Sequence, residues 1–235
     1  MIISRYIIIV LFYFFAITSL MAQSSDDFGI WTNIEIEKKI NKKWTLDGEV
    51  EFRTRDNSSE INRWGLKLGG NYSIIKEIKV GLAYQFIYFH DIKYSDFQPR
   101  HRFIGFLQGK KKWGNFSFSL RERFQMTKKD DSDRIKASGK VDTYKMDPEW
   151  SWRNRIKVAY GIPNFKITPS FSFESFYQLN NPDGNEFDGL RYTLSFTYKL
   201  NKQHSFDLSG IYDREINVND PENKYILSIG YAYSF

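Results

Sequence analysis

Residues 224–235 read Lys-Tyr-Ile-Leu-Ser-Ile-Gly-Tyr-Ala-Tyr-Ser-Phe. Tyr225, Leu227, Ile229, Tyr231, Tyr233 and Phe235 fall on one face of an extended chain; Ile226, Ser228, Gly230, Ala232 and Ser234 fall on the other. Side chains alternate across a β-strand, so this stretch reads as a strand with one apolar face. Three aromatics at its end, with no charge among them, would promote edge-to-edge aggregation in water. A strand whose outer face meets lipid needs that chemistry.

The same alternation runs upstream through the chain. Ile30, Ile34 and Ile36 oppose Trp31, Asn33, Glu35 and Glu37; Trp44, Leu46, Val50 and Phe52 oppose Asp47, Glu49, Glu51 and Arg53. Trp64, Leu66, Leu68 and Tyr72 oppose Arg63, Lys67 and Asn71, and Val80, Leu82, Tyr84 and Phe86 oppose Lys79 and Gln85. Phe116, Phe118, Leu120 and Phe124 face away from Arg121 and Arg123, as do Trp150, Trp152 and Ile156 from Arg153, Arg155 and Lys157. Phe171 and Phe173 alternate with Glu174, and Leu190 to Leu200 alternates around Arg191. The segment near 100–112 is uneven, because Phe103, Ile104, Phe106 and Leu107 occupy both faces.

The connections alternate too. Those at 41–43, 75–77, 113–115, 161–164 and 201–203 are tight, whereas 56–60, 93–98, 127–147, 179–188 and 217–223 are longer and polar. Short turns on one rim and long loops on the other are the habit of barrels that cross a membrane. Trp44 and Trp113 sit beside tight turns, and Trp64, Trp150 and Trp152 follow long loops, as amphipathic rings at two bilayer interfaces would. The fold expected is therefore all-β, an antiparallel transmembrane β-barrel of roughly ten to twelve strands. Eleven segments can be counted, but antiparallel closure needs an even number, which favours twelve.

The N-terminus agrees. One basic residue, Arg5, precedes an apolar run from Tyr6 to Leu20, and Ala22 offers a small residue for cleavage. This reads as a cleaved signal peptide over 1–22, followed by a single domain over 23–235. With no cysteine in an exported chain, neither disulfides nor thiolate metal sites hold the fold. A net charge of +6 without a Lys/Arg block gives no sign of nucleic-acid binding. The mean hydropathy of −0.51 is compatible with a barrel, because the lumen-facing residues offset the lipid-facing ones.

The polar faces carry both signs, and Glu35, Glu49, Glu51, Arg53, Arg63, Arg121, Arg123, Arg153, Arg155, Glu174 and Arg191 are candidates to line a lumen. One reading is a structural network of ion pairs filling the interior. It is favoured because barrels of about eight strands are filled by side chains, whereas porins need about sixteen. The other is a narrow path for an anionic solute drawn by the arginines. A lipid-modifying enzyme would need a pair such as His90 or His101 with Ser95, but no Gly-x-Ser-x-Gly elbow accompanies them. No metal-ligand spacing appears, Asp130-Asp131-Ser132-Asp133 lacks the glycine and closing glutamate of a calcium loop, and no cofactor is implied. A soluble periplasmic β-barrel binding protein is a further alternative.

The closing strand resembles the C-terminal signal strand of bacterial outer-membrane proteins, with Tyr231, Tyr233 and Phe235 as the assembly signal. That resemblance implies the outer-membrane bilayer and the barrel-assembly machinery as partners, and it leaves the oligomeric state open. Gly29-Ile30-Trp31-Thr32, the stretch from Glu37 to Trp44, Pro99 to Phe103, Leu190 to Leu208 and Arg214 to Phe235 resemble an uncharacterised outer-membrane β-barrel family (DUF2490 type) common in Bacteroidota. The resemblance implies a non-enzymatic protein of the bacterial outer membrane, and it transfers no catalytic or binding residue.

Overall fold

The computed structural model describes residues 26–218 and 221–235. The expected signal peptide lies outside them. The described residues form eleven strands: β1 (Asp27–Lys39), β2 (Trp44–Arg55), β3 (Glu60–Ser73), β4 (Ile78–Asp91), β5 (Asp96–Trp113), β6 (Phe116–Lys129), β7 (Glu149–Tyr160), β8 (Ile167–Gln178), β9 (Phe187–Lys199), β10 (His204–Glu215) and β11 (Asn223–Ser234). Each pairs antiparallel with the next, and β1 pairs with β11 to close the barrel.

The closing pair is parallel, in register from Asp27↔Lys224 to Glu37↔Ser234. The strand count lies within the expected range, but the even-number rule that favoured twelve does not apply. It assumes antiparallel closure, and an odd ring closes when its first and last strands run the same way. Beyond the ladder, Phe235 N donates to Glu37 O (2.9 Å) and Lys39 N donates to Phe235 O (3.1 Å), so the last residue is held by the backbone of the first strand.

Polarity is inverted relative to a water-soluble domain. Among the described residues the buried apolar side chains are Ile87, Ile104 and Ile226, against fourteen buried polar or charged ones, so hydrophobic burial in the interior cannot be what holds this sheet together. Large apolar groups cover the outside instead: Ile34, Leu46, Val50, Leu68, Leu82, Phe124, Ile156, Leu194 and Leu208 are all exposed. On β3 this face runs from Trp64 to Tyr72, about 26 Å along the strand. At a tilt of about 40° that is about 20 Å of height, close to the apolar band of about 25 Å on a membrane barrel. Aromatic pairs mark both ends, with Trp44 against Tyr72 at the turn rim (4.9 Å) and Trp64 against Tyr88 at the loop rim (5.5 Å).

The uneven fifth segment resolves by register. Ile104 and Phe106 pair with Ala83 and Gly81 on the inner face, while Phe103 and Leu107 point out. Phe106 lies over Gly81, where an added Cβ would come within 2.4 Å of the ring. Two expected loops are shorter than the sequence suggests: β2 and β3 are joined by 56–59, and β4 and β5 by 92–95. Asp56, Asn57 and Ser58 all adopt left-handed backbone (φ 51°, 53° and 66°), which folds the connection into a tight turn. The long connections are 130–148, 179–186 and 216–222, all on the rim opposite the two-residue Gly114-Asn115 turn.

Two outcomes follow. Because the chain lacks cysteine, Thr32→Cys with Ile229→Cys, which face each other across the seam, should form an intramolecular disulfide on oxidation. Thr32→Cys with Leu227→Cys should not, and the contrast can be read on non-reducing gels. Gly81→Val should destabilise the barrel by about 1–3 kcal/mol through collision with Phe106, whereas Gly210→Ala, with open space around it, should be neutral in thermal unfolding of the detergent-folded protein.

Candidate functional site

Strand alternation sends one row of each strand inward, and these rows surround a cavity of about 610 Å³ to which all eleven strands contribute. Glu35, Glu49, Glu51, Arg53, Arg63, Arg121, Arg123, Arg153, Arg155, Glu174 and Arg191 all line it. So do Lys67, Arg102, Lys157 and Asp207, which gives ten cationic side chains against five carboxylates.

Two glutamates organise most of this charge. Glu51 sits between Arg53 (2.8 Å) and Arg63 (2.9 Å), and Glu174 between Arg121 (3.1 Å) and Arg153 (3.0 Å). Both carboxylates are buried, so removing either would leave two guanidinium groups facing each other without a counter-charge. A broken buried pair of this kind costs about 3–5 kcal/mol. Glu49 pairs with Lys67, and Arg191 with Asp213. Inward-facing aromatic rings also seat guanidinium groups. Arg53 lies 3.6 Å and Arg191 4.9 Å from the Trp31 ring, and Arg153 and Arg191 lie 4.3 and 5.0 Å from Phe176.

The charge is segregated across the lumen. Glu35 faces Glu49 and Glu37 faces Asp47 across the β1–β2 pair. On a ring of eleven, that pair stands opposite β7 and its neighbours, which carry Arg121, Arg123, Arg153, Arg155 and Lys157. Arg123, Arg155 and Lys157 form no ion pair with any carboxylate among the described residues, and Arg102 donates through Nε to the Thr127 hydroxyl (3.0 Å).

The 130–148 loop folds inward over the β4–β5 side of the mouth. Asp91 and Gln98 lie on the inner face, and Arg134 from the loop pairs with Asp91 while reaching Asp142 (3.3 Å). Tyr144 Oη lies 2.6 Å from Gln98 Oε1 and 3.0 Å from Asp91 Oδ2. Asp142 also accepts from Lys93 (2.6 Å), Tyr94 (2.8 Å) and Lys136 (3.1 Å), and these bonds hold its carboxyl well below the usual carboxylate range.

The histidines are not gathered with Ser95. His101 Nδ1 pairs with Tyr84 Oη (2.7 Å), Arg55 Nη2 donates to His90 Nδ1 (2.8 Å), and neither ring hydrogen-bonds to Ser95 among the described residues. Tyr231, Tyr233 and Phe235 form an outward aromatic group at the turn rim, where Tyr231 Oη meets His204 Nδ1 (2.7 Å) and Tyr233 stacks on Phe235 (5.5 Å).

Arg102 and Phe176 escape a reading of sequence alone. Arg102 lies on the uneven strand β5, and Phe176 is an aromatic on a polar row; only the cross-strand pairing Gln85↔Arg102 and Arg153↔Phe176 places them inside.

No curated protein matches the chain. Among solved structures, a NanC porin in a rhombohedral crystal form is similar, with 11% identity, a TM-score of 0.48, and coverage of 79% of this chain and 85% of that one. The family model described as a protein of unknown function, DUF2490, matches residues 28–225, and the chain belongs to that family.

Proposed function

We propose that the protein is a non-enzymatic, integral barrel of the bacterial outer membrane whose lumen passes or holds small anions. The observation that carries the reading is the group of Arg123 on β6 with Arg155 and Lys157 on β7, which form no ion pair with a carboxylate among the described residues, in a cavity whose cations outnumber its carboxylates two to one. A purely structural network would gain most from pairing each charge, since an uncompensated charge in a low-dielectric interior is costly. A water-filled lumen that attracts anions tolerates the surplus. The apolar exterior and its aromatic ends support membrane insertion, and an interior almost without apolar packing disfavours a soluble binding barrel. The outward group Tyr231, Tyr233 and Phe235 suits recognition by the barrel-assembly machinery.

The inward loop covers part of the mouth. Arg134 and Tyr144 tie it to Asp91 and Gln98, so the loop restricts passage on the β4–β5 side.

In planar bilayers with a salt gradient, the purified protein should give discrete conductance with a reversal potential of anion-selective sign. Arg123→Gln, Arg155→Gln and Lys157→Gln together should abolish that preference; electrical silence or cation preference of the unmodified protein would overturn the reading. Arg134→Ala should raise the open conductance by loosening the mouth. The depressed Asp142 carboxyl keeps its pairing wherever it is ionised and loses it only as pH falls through its lowered range. The share of conductance that depends on Asp142, read as the difference between the unmodified protein and Asp142→Asn, should therefore stay level from about pH 8 to about pH 5 and be lost only in stronger acid, below the ordinary carboxylate range near 4.

A further inference from the structure

One ionisable side chain breaks the apolar exterior at mid-height. Glu122 lies midway along β6, on the outward row between Leu120 and Phe124, both of them exposed. Its register partners are Asn154 on β7 and, one strand further, Ser175 on β8. All three lie on the outer face, so a polar row crosses three strands where the neighbours Leu107 and Ile156 are exposed and apolar. Trp152 Nε1 donates to Glu122 Oε2 (2.8 Å), and the Trp152 ring stacks flat on Phe124 (5.6 Å, 5°). Neither the Asn154 amide nor the Ser175 hydroxyl has a side-chain partner among the described residues.

We infer that this row is the centre of a two-fold contact with a second copy of the chain, in which Asn154 of each copy donates to Glu122 of the other. The inference rests on the membrane-inserted reading above. In hydrocarbon a carboxylate and a primary amide need polar partners, and lipid head groups do not reach the middle of the apolar band. The pair is self-complementary, acceptor and donor side by side in adjacent strands. A two-fold axis between them therefore satisfies both at once, as an isologous interface requires. The flat Phe124–Trp152 stack beside the row gives a large rigid surface for the rest of the contact.

The test uses the full chain expressed in its membrane. Two co-expressed copies, one Glu122→Cys and the other Asn154→Cys, in a chain with no other cysteine, should form a disulfide-linked dimer on oxidation with the reciprocal Glu122–Asn154 contact intact, whereas replacing either with Leu208→Cys, on the exposed face of β10, should not. In detergent, sedimentation of the unmodified protein should give a dimer. Glu122→Leu should weaken that dimer roughly tenfold by loss of two hydrogen bonds. Glu122→Gln, which still accepts from Asn154, should preserve it. A monomer under all conditions with no cross-link between the Glu122→Cys and Asn154→Cys copies would overturn the proposal. So would a complex with a different protein that depends on Glu122, or equal cross-linking at Leu208→Cys. Failure of the membrane reading is seen separately, as release of the unmodified protein by alkaline carbonate or urea; a carbonate-resistant monomer sinks only the two-fold contact.

Discussion

Backbone amides and carbonyls along a strand edge must find partners, and where a sheet meets lipid no water can supply them. In this chain the last unpaired edges are those of β1 and β11, and they satisfy each other over an eleven-residue parallel ladder. Everything else depends on that seam. It closes the ring and fixes which row of each strand points inward. Through the backbone bonds between Phe235 and β1, it also brings the terminal aromatic group against the turn rim. An open sheet of this composition would expose two edges beside apolar faces, the arrangement most prone to aggregation.

With the large apolar side chains on the outside, the interior is free to be polar, and its order comes from charge. Glu51 and Glu174 each hold two arginines, and Trp31 and Phe176 seat the guanidinium planes. The remaining cations gather on one wall and the spare carboxylates on the other, so a field runs across the lumen rather than along it. Low-dielectric walls concentrate such a field in the narrow aqueous space between them.

The two-residue period made the barrel legible because most strands have one apolar and one polar side. It was least legible where that contrast fails. Ile104 and Phe106 face inward against Ala83 and Gly81, a small apolar part of the lumen wall, so β5 reads as two-sided. The turn at Asp56, Asn57 and Ser58 looks like a loop by composition but is tight because its residues adopt left-handed backbone. Alternation sorts side chains onto two faces, so a lumen row can be proposed from sequence. It cannot say that Arg121 and Arg153 share Glu174, because those partners are set by the register among β6, β7 and β8, which alternation within each strand does not fix. Glu122 is hidden for the opposite reason. A single carboxylate in an otherwise regular apolar row looks like noise until the neighbouring strands place Asn154 and Ser175 beside it.

The parallel seam has one more consequence. β1 begins at the loop rim, beside Asn57, whose amide donates to Asp27 (2.9 Å), while β11 ends at the turn rim against Lys39. In an even barrel the first and last strands start and finish on the same rim, and a short linker could join them to make a circular permutant. Here the two strand ends are separated by the height of the wall. Relinking them would need a segment crossing the whole apolar belt, either through the lumen or as a twelfth strand. The odd count therefore gives the ring a topological direction, with a start and a finish that cannot be moved around it without changing the number of strands.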